Sequence, residues 1–317
     1  MTTIALIDPV SLIGEELRDQ LGRRPDLWQD LVLVSRLEEQ IGTLTSIDGA
    51  AAMVKQADPE SLNGADIAVF CGSMEGNEEL FARLPASATR LLFGNAHGFE
   101  ATAVVAGVNE LEMGHGETLL TPHPSGVLLS HLLHPLRDFG IEQAVATLIE
   151  PASFYNKAGL DELYAQARNL VALVDQQPSE IFGRQLAFNL YPSHQPADGL
   201  VSQVAAVVGS KVEFRRLQGS VFHGISAALT LRFRQDIHPD EAREALAAHP
   251  WCVMHEDPET LGPIDAAQSD LVLIGPVDPG LDHRTLSIWA VMDNLTRGGA
   301  SNALRILDVL AGTESVS

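Results

Sequence analysis

Two cysteines, Cys71 and Cys252, and three lysines, Lys55, Lys157 and Lys211, are the chain's strong side-chain nucleophiles, so catalysis through a thiolate or a lysine imine has few candidates. Cys71 closes the apolar run Ile67–Phe70 and Cys252 follows Pro250-Trp251; each reads as a small core residue. His131 and His134 share a face of any helix that carries them, but without a third ligand nearby they specify no metal, and none is expected. The turn Asp8-Pro9-Val10-Ser11-Leu12-Ile13-Gly14 lies where a strand–turn–helix unit would use a glycine-rich loop to bring backbone N–H groups to a pyrophosphate. Only the last glycine, Gly14, is present. Asp8 puts a carboxylate near the phosphate position, and Pro9 removes a donor.

These residues need elements to position them. Thr3–Ile7 is apolar, partly β-branched and stopped by Asp8-Pro9, which predicts a buried strand; an amphipathic stretch from Leu12 to Leu21 and a second apolar run, Leu31–Val34, complete a βαβ opening with parallel pairing. Further buried strands are expected at Ile67–Phe70, Leu91–Phe93 and Val104-Val105. Two prolines in Pro122-His123-Pro124-Ser125 stop any extended run, and Val127–Leu136 then has helical spacing with Ser125 as its N-cap. Beyond it the texture changes. Longer alternating runs at Val221–Phe233 and Thr285–Val291, with helical segments near Leu160–Val174 and Asp240–Ala248, predict an antiparallel or mixed sheet half covered by helices. A last helix is expected from Ala300 to Leu310, after Gly298-Gly299.

The chain has 317 residues and a formal charge of −22, which argues against nucleic acid as a partner because phosphate binding needs a basic patch. No apolar run reaches the roughly 18 residues of a membrane span. The opening MTTIALID lacks the basic flank of a secretory signal, and two cysteines in so long a chain fit a reduced compartment. A soluble, cytoplasmic protein of about two domains is expected.

Four segments carry a family resemblance. They are Pro124-Ser125-Gly126 with the helix ending Leu132-Leu133-His134-Pro135-Leu136, then Phe182-Gly183-Arg184-Gln185-Leu186-Ala187-Phe188-Asn189, Ile288-Trp289-Ala290-Val291-Met292-Asp293-Asn294-Leu295 and Gly298-Gly299-Ala300-Ser301-Asn302-Ala303. In order and spacing they resemble the aspartate-semialdehyde dehydrogenase family, especially its Usg branch. The resemblance implies an α/β Rossmann-like nucleotide-binding-type domain, residues 1–124 and 296–317, and an α+β dimerisation domain, residues 125–295. It also implies a homodimer, and a reversible NADP-dependent conversion of aspartyl phosphate to aspartate semialdehyde.

That reaction needs a thiolate, a histidine acid–base, a substrate arginine and the dinucleotide, and the family's positions do not supply them here. Pro124 falls on the nucleophilic cysteine; Ser125, one residue on, is a replacement nucleophile with His123 as base. Ser153 falls on a glutamine. Gln218 and Ile225 fall on the arginine and histidine, while a competing register, two residues away, offers Arg216 and His223 with the same spacing. No Arg or Lys lies between Leu91 and Asn109 to act as a second substrate clamp, where His97 would serve only if protonated. Arg36, at the end of the second strand, matches the position for an NADP 2′-phosphate or is a solvated strand-end arginine. Asn302 lines the cofactor side or caps a helix. The resemblance therefore leads to a catalytically degenerate protein, a pseudoenzyme with a binding or assembly role and an unidentified small-molecule ligand. The alternative is an active NADP-dependent oxidoreductase working through Ser125, Arg216 and His223.

Overall fold

The computed structural model describes residues 2–58, 60–96, 98–110, 113–194 and 199–312. Two units make up the chain, Met1–His123 with Gly299–Ser317, and Pro124–Gly298. Among the described residues no helix is long and apolar enough to cross a membrane.

In the first unit β1 (Thr3–Ile7), α1 (Leu12–Gly22) and β2 (Asp30–Ser35) form the expected βαβ opening. A small hairpin, β3 (Leu44–Ile47) and β4 (Ala50–Met53), stands apart from the main sheet. There follow β5 (Lys55–Gln56), β6 (Ile67–Phe70), α2 (Glu78–Arg83), β7 (Thr89–Gly94), β8 (Thr102–Ala103) and β9 (Thr118–Pro122). The sheet runs β5-β2-β1-β6-β7-β9-β8 with parallel pairs throughout. Apolar side chains fill both faces, as parallel strands require. One face packs Leu17 and Leu21 of α1 with Ile306 and Leu307 of the C-terminal helix Ser301–Ala311, and the other buries Leu62, Leu80 and Leu84. Val104 and Val105 are buried but lie just past β8 rather than within a strand.

The second unit opens with α3 (Pro124–Leu133) and a 3-10 turn His134–Phe139, followed by β10 (Ile141–Glu150), a 3-10 turn Ala152–Tyr155 and α4 (Asn156–Val171). Then come β11 (Leu190–Pro192), α5 (Leu200–Val208), β12 (Glu213–Gly219), β13 (Ile225–Phe233), α6 (Pro239–Ala248), β14 (Cys252–Met254), β15 (Val272–Pro279) and β16 (Thr285–Met292). Their order is β11-β12-β10-β13-β16-β15-β14, a mixed sheet in which β10 pairs parallel with β12 and antiparallel with β13. Alternation sets its two faces. Along β10, Ala144, Ala146, Leu148 and Glu150 are buried, while Val145, Thr147 and Ile149 keep partial exposure. The run expected to begin at Val221 starts only at Ile225: Val221–Gly224 is a turn, whose main-chain oxygens at Val221 and Phe222 accept from the N–H groups of Ala152 and Ser153 at 2.8 and 3.1 Å.

Candidate functional site

At the carboxyl ends of β1, β2 and β6, where an open parallel sheet receives ligands, the first unit holds a carboxylate of its own. Asp8 is 2% exposed; its Oδ1 accepts from Ser35 Oγ at 2.6 Å and its Oδ2 from Asn77 Nδ2 at 3.0 Å. A Cβ built on Gly72 would meet Asp8 Oδ2 at 2.6 Å, so this glycine makes room for the carboxylate. Burial, the largest influence, raises the Asp8 pKa above the ordinary carboxylate value against the lowering effect of its two hydrogen bonds. Its backbone is left-handed, with φ 59°, a region Asp tolerates better than most residues. Gly14 has a packing reason, since a Cβ there would lie 2.9 Å from Asp8 O and from Pro9 backbone. Ser11, not a glycine, caps α1 by accepting from Gly14 N at 3.0 Å.

Arg36 donates from Nη1 to Gly76 O at 2.9 Å and lies 3.8 Å from Glu79, its side chain 41% exposed. Asn302 is fully buried. Its Oδ1 accepts from Ala106 N at 2.8 Å and its Nδ2 donates to Val104 O at 2.9 Å, fastening the C-terminal helix to the segment after β8. His97 lies outside the described residues.

In the second unit several of the residues expected at the family's positions lie near the ends of β10 and β12. Pro124 is the first residue of α3 and packs against Gly298, where an added Cβ would come within 2.9 Å of the proline ring. Ser125 is not the N-cap expected: it is the second residue of the helix, and its hydroxyl donates to Glu150 Oε1 at 3.0 Å. Arg216 Nε donates to the same oxygen at 2.6 Å, with both side chains 5% exposed or less. Gln218 is buried beside them, donating from Nε2 to Glu150 O at 3.1 Å. Ser153 accepts from Asn294 Nδ2 at 3.0 Å, and Asn294 Oδ1 accepts from Gly224 N at 2.9 Å. Ile225 is a fully buried core residue opposite Met292. His223 sits half-buried on the Val221–Gly224 turn, not on a strand as its alternation suggested.

Sequence reasoning passed over Glu150 and Asn294. A signal for the first existed: strand alternation puts position 150 on the face of Ala144, Ala146 and Leu148, and a charge on such a face needs a partner. It also passed over a second polar cluster. His131 Nδ1 meets His249 Nε2 at 2.9 Å in the interior, with the His134 ring 5.9 Å from that of His249. Arg297, fully buried, lies 4.1 Å from the ring centroid of Trp251. Among the described residues no group of three or more His, Cys, Asp or Glu is arranged to hold a metal ion. Both cysteines are buried and free, and burial pushes the Cys71 thiol well above its ordinary range and the Cys252 thiol up to about 12, so neither is a thiolate nucleophile.

Residues 133–297, more than half of the chain, match the family model for the semialdehyde dehydrogenase dimerisation domain. The chain belongs to the semialdehyde dehydrogenase family. An aspartate-semialdehyde dehydrogenase of Rickettsia conorii is 24% identical over 97% of each chain, and that of Synechocystis 22% identical over 97% of this chain and 96% of its own. A solved structure of a probable aspartate-semialdehyde dehydrogenase from Pseudomonas aeruginosa superposes with a TM-score of 0.88 at 23% identity, covering 98% of both chains. Aspartate semialdehyde dehydrogenase II of Vibrio cholerae, solved in complex with ASA, gives 0.85 at 21% identity with 98% of both chains covered. The α/β class, with a Rossmann-like parallel sheet and a second sheet unit, is that of these semialdehyde dehydrogenases.

Proposed function

We propose that this chain is a catalytically degenerate, Usg-type member of the aspartate-semialdehyde dehydrogenase family that acts as a cytoplasmic homodimer in a binding or assembly role. In this reading Met1–His123 with Gly299–Ser317 is the former nucleotide domain, and Pro124–Gly298 the dimerisation domain. What supports it is that the resemblance puts Pro124 at the thiolate position, and that Ser125, Glu150, Arg216 and Gln218 are engaged with one another. Proline has neither a nucleophile nor a backbone N–H. The resemblance puts Gln218, Ile225 and Ser153 on the arginine, histidine and glutamine of the reaction, and the simultaneous loss of nucleophile, glycine loop and carboxylate clamp is not rescued by one neighbour.

The family's dinucleotide does not fit the residues in the first unit. A pyrophosphate at the end of β1 would meet the Asp8 carboxylate, Pro9 offers no N–H, and Arg36 is held by Gly76 and Glu79. No reaction step is assigned to it. The active alternative is disfavoured because Ser125 and Arg216 both address Glu150.

The test is Pro124→Cys, assayed for phosphate-dependent semialdehyde oxidation beside the wild type. Without acid–base partner, clamp and cofactor a thiolate cannot complete acyl transfer and reduction, so neither protein is expected to produce NADPH. Production by wild type would overturn the proposal, and Ser125, Arg216 and His223 would be the first residues to replace.

A further inference from the structure

Burying a carboxylate inside a sheet is unfavourable unless donors hold it. Glu150 is wholly buried, and its Oε1 receives two donors at once, Arg216 Nε at 2.6 Å and Ser125 Oγ at 3.0 Å. Ser125 belongs to the first turn of a ten-residue helix, so its hydroxyl holds this oxygen beside the start of α3, where the helix dipole favours negative charge. Guanidinium, hydroxyl and helix start are the set with which proteins receive a carboxylate from outside. Here the carboxylate comes from the chain's own strand. Glu150 Oε2, equally buried, has no hydrogen-bond partner among the described residues, so what the surroundings answer is the oxygen aimed at the donors and not the glutamate as a whole.

We propose that Arg216, Ser125 and the start of α3 form a carboxylate-binding site, and that Glu150 is its built-in ligand, permanently excluding a free one. The inference goes beyond the loss of catalysis and does not depend on it, because semialdehyde oxidation and carboxylate binding are read in separate experiments. A plain structural ion pair loses stability when cut. A self-occupied site does that and also recovers with a free ligand of the right size.

Glu150→Ala keeps Cβ and removes the atoms of an acetate ion, leaving a void of the kind that small ligands enter. Thermal denaturation of E150A is followed in sodium acetate against sodium chloride at equal ionic strength and neutral pH. Its midpoint is expected below wild type and to rise saturably with acetate, by about 2 °C at tenfold the dissociation constant. Wild type and E150Q, whose sites are filled, should not respond, nor should E150A/R216M, which lacks the receiving charge. Propionate, too large for the void, should act less. The proposal is overturned if acetate and chloride act alike on E150A, or if acetate raises wild type or the double variant as much. Should E150A fail to accumulate folded, its refolding yield from urea is compared in the two salts, acetate-dependent recovery supporting the proposal and equal recovery overturning it.

Discussion

Asp8 and Glu150 are both carboxylates taken out of water, but they are held differently. Asp8 is bound by neutral groups, and burial lifts its pKa. A group whose folded pKa is raised contributes stability below its unfolded pKa and loses it as pH rises through the folded value. Asp8→Asn, neutral at every pH and at ease with a positive φ, should therefore raise the denaturation midpoint at pH 8, with the gain shrinking toward pH 4; a gain that grows on acidification would contradict this. Glu150 is bound by a charge. Arg216→Met leaves it unpaired and should cost about 3–5 kcal/mol in urea denaturation, whereas Ser125→Ala, removing one hydroxyl donor, should cost about 1 kcal/mol. The oddity of Asp8 was legible from the depleted glycine motif, because that motif is local. The burial of Glu150 was legible from strand alternation, but its partner was not, since Arg216 comes from β12 by a parallel register in which Glu150 lies beside Gln218, and no local pattern of residues records which strand becomes a neighbour.

Among elements, α3 is tied to the end of α6 by the His131–His249 contact. Burial holds both imidazoles below their ordinary pKa, His249 at about 4, and the nearby positive charges of Arg297 and, when protonated, His134 add to the effect. The unfolded chain takes up protons near pH 6.5 that the folded pair refuses, so this contribution is whole above pH 6.5 and drains away as pH falls toward 4. His249→Gln keeps a hydrogen-bonding amide near the Nε2 position without titrating, and should flatten the decline of the midpoint between pH 6.5 and 4; an unchanged slope would assign the acid limb to other groups. Helices α1, α3, α4 and α6 and strands β1, β2, β6, β7, β13 and β16 were legible from periodicity, which depends only on which face is dry, whereas β9, β12 and β15 were not named. The Val221–Gly224 turn was misread as strand because its apolar residues satisfy that pattern. What breaks it is Gly224 at φ +88° and hydrogen bonds to Ala152 and Ser153, which are long-range facts.

For the whole molecule, the face of the second sheet away from Glu150 carries the rows Val145–Thr230–Ser287 and Thr147–Ala228–Trp289 across paired strands. Val145 is 39% exposed, and covering such a face by an identical copy is the symmetric arrangement proposed here. Light scattering should give a dimer, and Val145→Asp, placing a charge in that contact, a monomer. Because each chain carries −22, added salt should tighten the dimer by screening repulsion; a dimer that loosens with salt would mean its contacts are mainly ionic. The Glu150–Arg216 pair also bears on how such a protein can change. Each member alone is harmful and the two together are tolerated, so E150Q/R216M should be less destabilised than the sum of the single variants. Return to an open crevice thus has no gentle single step. Replacing either residue first strands a buried charge on the other, and under the self-occupied site proposed above the pair acts as a ratchet against reopening the crevice.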